Sequence, residues 1–477
     1  MTAAAKAKNL KADTGSKYES VTATPVKSFF VTMLTRDITL EEAILDLLDN
    51  CVDGILRSHP PSGKAKRPYA GYWASIDFTS DSFTISDNCG GIPWKLHEYA
   101  FRMGRDKNRE PDARGSVGIY GIGMKRAIFK LGRECLISTQ HEKDRYEVDI
   151  SPDWLDDEDS WDIPVRPGKR QPEDGTTVYV TDLHEGVRRR FTDDSTSFQS
   201  DLENMIATHY TFIIDKGFEV KVNGVAVRPR ATRLIFAEQE TSIRPFMFMT
   251  ASDGVEVFLT VGFTRPIPSA DEAASEQEDK KYSTENAGWT VVCNDRAVLY
   301  CDRTEMTGWG EAGVPRYHTQ FIAISGIVEF RSDDPAKLPT TTTKRGIDAS
   351  STLYLQVKNK MREGMRLFTT YTNKWKNRAD EARQQMEAEQ TLSFGELKAA
   401  AKRVEMRATT RTVPAGKQYT PNLPMPAKAD AQKRRISYSK HLNDIRVVSE
   451  HLFGDSDADP SEVGERCFDV ILARASE

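Results

Sequence analysis

Three polar side chains interrupt an otherwise apolar stretch, ILDLLDNCVDGI, at residues 44–55. Asp46, Asn50 and Asp53 stand at i, i+4 and i+7, so a helix carries all three on one face. Ile44, Leu45, Leu47, Leu48, Val52 and Ile55 make the remainder apolar. A buried carboxylate costs several kcal/mol when dry and unpartnered. The trio is therefore either a solvated stripe or a set of acid–base and oxygen-ligand groups facing a pocket. A second group lies in FTISDNCGGIP, residues 83–93. Phe83 and Ile85 signal a strand that ends at Asp87, where a carboxylate can accept a hydrogen bond from an exocyclic amino group. The glycines after it, Gly90 and Gly91, permit a tight turn or the close approach of a flat ring. The same string also makes a plain Asx-turn. The third group is GSVGIYGIGMKRAIFKLG, residues 115–132. Gly118, Gly121 and Gly123 precede a helical run that Gly132 is expected to cap. A glycine loop opening onto a helix N-terminus offers free N–H groups to an anion, and Lys125 adds charge. This is not the Walker loop, because no G-x-x-x-x-G-K-[ST] occurs.

These groups need elements to hold them. Thr39 with Glu42 forms a T-x-x-E capping box that starts the first helix, which leaves Asp46 as the acidic group deeper inside it. Trp73, Ile76 and Phe78 pair with the strand before Asp87 as a hairpin. After residue 190 a helix, SFQSDLENMIATHYTFIID, leads to two strands around Asn223-Gly224. Strand-like runs follow at VEVFLTVGF, WTVVCNDRAVLY and FIAISGIVEF, with a polar acidic loop at 266–286 between them. LPTTTTKRGID, residues 338–348, reads as an ordered loop whose Lys344 and Arg345 are either a surface pair or a cation reaching a distant site. Trp309 reads as a core or loop anchor. From 352 to 407 the pattern is helical, with Tyr354, Val357, Met361, Met365, Phe368, Tyr371 and Trp375 forming one apolar stripe. That stripe suits core packing or, as the alternative, a dimer or partner face, and the charged half beyond it is expected to project.

Composition narrows the class. The 477 residues are 38% hydrophobic and 29% charged, as in an ordinary globular protein of more than one domain. No apolar run is long enough to span a membrane, and the first twenty residues read as a loose tail without a signal-peptide core. Six scattered cysteines with no C-x-x-C favour a reducing, cytoplasmic setting over disulfide or zinc frameworks. A net charge of -5 argues against wholesale coating of nucleic acid and leaves local contact with DNA open.

In this order, the three groups resemble the GHKL ATPases, the superfamily of gyrase B, MutL, the large heat-shock chaperones, histidine kinases and the MORC proteins. The resemblance implies ATP and Mg2+ as ligands. It gives Asn50 the magnesium site, Asp53 the polar position behind it, and Asp87 with Gly91 the D-x-G-x-G motif that reads adenine. Gly118, Gly121 and Gly123 match the lid glycines, with Lys125 beside the phosphates. MGRDKN at 103–108 resembles a MORC-type lid segment with Lys107, and DGTTVYV at 174–180 the G-T-x-V strand with Thr176 at the adenine end. Asp46 replaces the usual catalytic Glu, and Cys89 replaces the first motif glycine. Lys344 resembles the transducer lysine that senses the γ-phosphate, with Arg345 as the fallback, so Asp46 and Lys344 form the catalytic set.

The implied fold class is α+β: a Bergerat-type α/β sandwich ATPase domain, a transducer-like α+β domain and a C-terminal helical module. The expected divisions are a tail to 20, the ATP-binding domain at 21–190, the transducer-like domain at 191–350, and a helical stem at 351–407. A proline-rich linker at 408–440 and a short helical segment at 441–477 complete it. The resemblance is nearest to MORC-like stand-alone bacterial proteins and implies slow hydrolysis by an ATP-gated homodimer, with the segment at 20–36 crossing to the other subunit. It also implies control of a protein partner through the C-terminal helices, or of DNA, and a place in anti-phage defence. The alternative is an ATP-binding switch with negligible turnover. A histidine kinase would need a phospho-accepting His before the domain, and none precedes His59.

Overall fold

The computed structural model describes residues 26–58, 67–104, 121–230, 232–239, 242–268, 286–341, 344–376, 378–386, 389–409, 414–426, 436 and 438–476. They form two compact units that divide between Met425 and Pro426.

The larger unit begins with α1 (Lys27–Arg36) and α2 (Leu40–Ser58). The predicted capping box is present: the Thr39 N–H donates to the Glu42 carboxylate at 2.7 Å, and the Glu42 N–H to the Thr39 hydroxyl at 3.2 Å. Ile44, Leu48, Val52 and Ile55 of α2 are buried in the first core. An eight-stranded sheet lies against them, in the order β5-β4-β3-β6-β2-β1-β7-β8. Its strands are β1 (Trp73–Phe78), β2 (Phe83–Asp87), β3 (Gly132–His141), β4 (Asp144–Ile150), β5 (Val165–Pro167), β6 (Gly175–Leu183), β7 (Glu219–Val222) and β8 (Val225–Ala226). The helices between them are α3 (His97–Phe101), α4 (Gly123–Leu131), α5 (Pro152–Asp156), α6 (Glu185–Thr192), α7 (Ser195–His209) and α8 (Thr211–Asp215).

Two expectations change here. The first sheet extends past residue 190, because β7 pairs in parallel with the edge of β1, Trp73 opposite Glu219, and Phe198, Leu202 and Ile206 of α7 join the first core. A parallel partner nearly 150 residues away leaves no local sequence signal. Gly132 is no left-handed helix cap. Its φ of -167° is extended backbone that starts β3, and a Cβ there would lie 2.6 Å from the Thr181 carbonyl oxygen.

A second sheet runs β13-β12-β14-β11-β10-β17-β16. It contains β10 (Phe246–Ser252), β11 (Val255–Phe263), β12 (Gly288–Cys293), β13 (Arg296–Asp302), β14 (Ile324–Ser332), β16 (Arg407–Thr409) and β17 (Gly416–Tyr419), while β9 (Arg233–Ile235) pairs with β15 (Thr391–Ser393). The long helix α9 (Thr352–Trp375) buries the whole predicted stripe, Tyr354 to Trp375, and Trp309, in the same core. The stem does not project beyond it. After α10 (Ala379–Met386), β15 and α11 (Phe394–Ala400) fold back, with Phe394 and Leu397 packed beside Leu234 and Phe258. The expected linker is likewise partly strand, since β17 pairs with β10 and the Trp375 indole N–H donates to the Pro424 carbonyl at 3.0 Å. These short pieces bury one or two apolar side chains each, too few to raise a periodic signal above charged neighbours.

The smaller unit is a helical hairpin of α12 (Leu442–Phe453) and α13 (Pro460–Ala475), as expected for the end of the chain. Among the described residues, no helix is long and apolar enough to cross a membrane.

Candidate functional site

The site is assembled along α2. Asp46 is buried, Asp53 half-buried and Asn50 exposed, so the polar edge of the helix emerges from the core near its middle. Asp46 Oδ2 receives both Nε, at 3.1 Å, and Nη2 of Arg126 on α4. Its Oδ1 accepts nothing among the described residues. Gly123, the first residue of α4, lies so near that a Cβ would sit 3.4 Å from the Asp46 carboxyl carbon. The start of α4 has no side-chain cap among the described residues and lies beside Asp46.

Asp87 stands at the other end. Its Oδ1 accepts from the Cys89 N–H at 2.7 Å and the Thr176 N–H at 3.4 Å. Burial pushes its pKa up, and these N–H groups and the Cys51 thiol oppose that only in part. Burial and the Asp87 charge in turn push both neighbouring thiols, Cys51 and Cys89, well above the usual range. Cys89 is tolerated where the motif carries glycine because the left-handed conformations fall on Gly90 and Gly91, at φ 93° and 63°. A Cβ on Gly91 would lie 1.9 Å from the Gln140 carbonyl oxygen, so glycine is required there. Arg57 at the end of α2 donates to the Gly91 carbonyl at 2.7 Å, and the Thr176 hydroxyl lies 3.1 Å from that of Thr139. α2 thus touches both ends of the site.

Lys344 arrives from the loop between β14 and α9. Its ammonium donates to Asp49 Oδ2 at 2.9 Å, and Arg345 pairs with Glu42 at the start of the same helix. Burial lowers the Lys344 pKa, but the Asp49, Asp46 and Asp53 carboxylates outweigh it and hold the lysine above its ordinary value. Lys344 therefore sits in the field of the whole polar edge of α2.

Lys125 does not present its charge to this space. It is 2% exposed, and its ammonium is engaged by the carbonyls of Ala100, at 2.7 Å, and Gly121. It ties the left-handed Gly121, at φ 68°, to α3. Lys107 and Gly118 lie outside the described residues, as does most of the lid segment.

Four residues escaped the sequence reading: Asp49, Arg126, Tyr210 and Arg296. Asp49 accepts the Tyr210 hydroxyl at 2.5 Å and Arg296 Nε at 2.8 Å on Oδ1, besides Lys344 on Oδ2. Burial would raise its pKa, but Arg296 and Lys344 more than offset this and hold it below the ordinary carboxylate range. Its signal was an acid on the core side of an apolar helix, which demands a cation from somewhere.

Residues 38–178 match the family model described as Histidine kinase-, DNA gyrase B-, and HSP90-like ATPase. The match supports a GHKL-type ATPase domain. It covers α2, the Asp87 turn, α4 and Thr176, and it supports ATP binding by this segment. No curated protein matches the chain.

Among the described residues, no group of three or more His, Cys, Asp or Glu side chains forms a metal cage. The exposed Asn50 amide beside Asp46 and Asp53 suits a hard cation that takes most of its oxygen ligands from phosphates and water.

Proposed function

We propose that the protein binds Mg-ATP in this pocket and hydrolyses it slowly, with the second domain sensing the phosphate end through Lys344. The observation that carries this reading is the Lys344 ammonium held at α2, one residue from Asn50, while the Asp87 carboxylate, its Oδ1 held by the Cys89 and Thr176 N–H groups, stands at the other end to accept from an adenine amino group. Asp53 and Gly91 line the edge between these ends, and Gly118 and Lys107 are assigned to the lid by resemblance. Asn50 would contribute one oxygen to magnesium, which would neutralise phosphate charge.

Phosphoryl transfer asks a protein mainly for positioning and charge stabilisation. Arg126 fixes Asp46 through Oδ2, which leaves Oδ1 to orient a water. The uncapped first turn of α4 and Lys344 are placed to meet developing negative charge. The Arg126 pair also favours the second reading, a switch with negligible turnover, because it occupies one of the two Asp46 oxygens that could engage a water. Steady-state phosphate release from Mg-ATP, compared between wild type and Asp46→Asn, decides between them. Turnover lost by at least about a hundredfold with nucleotide binding retained supports hydrolysis through Asp46. Binding without turnover in either protein supports the switch.

At the next level we read the molecule as an ATP-gated homodimer related to MORC-like proteins, working on a protein or DNA partner. The apolar side chains left exposed on the C-terminal hairpin support a protein partner: Val447 is 70% and Ile471 61% exposed. A role in phage defence rests on resemblance alone, and unchanged phage sensitivity after deletion in the native host would end it.

A further inference from the structure

Asp49 carries two cations, one more than charge balance requires, and they are held differently. Arg296 is 1% exposed, comes from the β12–β13 hairpin, and lies with its guanidinium 4.2 Å from the Tyr210 ring centroid. It is fixed by packing as well as by charge. Lys344 sits on a loop with its backbone at φ 57°, a left-handed conformation that is strained for a non-glycine residue. Its ammonium is the group that also feels Asp46 and Asp53 at the pocket edge. Lys344 can leave Asp49 without stranding it, because Arg296 and the Tyr210 hydroxyl remain. Arg296 cannot leave, since removing the fixed partner of a buried pair exposes the full desolvation penalty.

We propose that Asp49 and Arg296 form a positioning pair for Lys344. Asp49 parks the lysine beside Asn50 at rest, and Arg296 keeps Asp49 neutralised when the lysine moves to a γ-phosphate. The strength of this parking sets how strongly the pocket prefers a triphosphate to a diphosphate. The inference rests on the reading of Lys344 as the γ-phosphate contact and adds the residues that hold it.

The test is calorimetric titration of the full chain with ADP and with adenylyl-imidodiphosphate, expressed as the ratio of the two Kd values. Asp49→Asn frees the lysine, and the preference for the triphosphate should rise by about fivefold or more. Arg296→Met leaves Lys344 as the sole cation on Asp49, and the preference should fall by a similar factor. General damage to the fold would move both variants the same way. Where Asp49→Asn fails to fold, Tyr210→Phe serves instead. It keeps the ring but withdraws a hydrogen bond from the carboxylate, which leaves more charge on Lys344 and lowers the preference. If Asp49→Asn and Arg296→Met shift the ratio in the same direction, or if the folded variants match wild type while Lys344→Met abolishes the preference, the parking idea is overturned and the γ-phosphate contact stands. A Lys344→Met variant with the wild-type ratio overturns both.

Discussion

His209 closes α7 with Nδ1 2.7 Å from the Ala297 carbonyl, a contact that assigns the proton of the neutral ring to Nδ1. Burial and the adjacent Arg296 lower its pKa from 6.5 to about 4. The unfolded chain therefore takes up a proton near pH 6.5 that the folded protein refuses until about 4. Stability is full above that window and falls as pH drops through it, by about 2 kcal/mol after a discount for the partly exposed ring. Denaturant unfolding at pH 7 and pH 5 measures the loss, and His209→Gln should flatten it. An equal loss in the variant would show that another group is responsible. Asp295 works at lower pH: Lys216 and Arg331 overcome the burial penalty and hold it at about 2, so its contribution persists until the medium is far more acidic. Side chains such as these mark where sequence reading stops. Asp46, Asn50, Asp53 and Asp87 were legible because helix periodicity and a strand–turn junction place them locally. Asp49 finds Arg296 at a separation of 247 residues and Lys344 at 295, and no spacing rule connects them.

At the scale of elements, α1 shows how a short amphipathic helix is held. Lys27 is fully buried, with its ammonium donating to the carbonyls of Trp154, at 2.5 Å, and Asp157, and lying 4.0 Å from the Trp154 ring centroid. The segment expected to cross to another subunit is thus, over 27–36, packed on its own chain against α4 and α5. Lys27→Met removes two charge-assisted bonds and a buried cation–π contact, which should cost about 2–4 kcal/mol locally. Hydrogen exchange should then speed up in α1 while α2 stays protected. Uniform loosening of both helices would mean that α1 is not a separate unit. Long elements such as α2 and α9 were readable because many turns repeat one apolar face. β15, β16 and β17 were not, since a strand of three or four residues gains its stability from neighbours supplied by distant chain.

At the scale of the whole molecule, the predicted site residues that are described all fall within the larger unit. A chain ending at Met425 should bind adenylyl-imidodiphosphate within about twofold of the full-length affinity, and it should dimerise with the analogue on size-exclusion with light scattering. A monomer with the analogue, in both the full and the shortened chain, would rule out the gated dimer. One hairpin turn serves the joint inside the larger unit from two sides, beside the Lys344 and Arg345 contacts to α2. Asn294 and Asp295, at φ 47° and 67°, swing the chain so that Asp295 meets the Tyr69 hydroxyl at 2.9 Å and Lys216 at 2.5 Å, while Arg296 enters α2 at Asp49. The Asp49 of the first half is thereby answered by Arg296 and Lys344 of the second, and the Asp295 of the second is answered in part by Lys216 of the first. A recombination event that brought in a foreign ATP-binding half would have to match an acid on one side of the turn and a base on the other at once. An expression boundary drawn between the two halves would leave ionic groups exposed to water on both fragments.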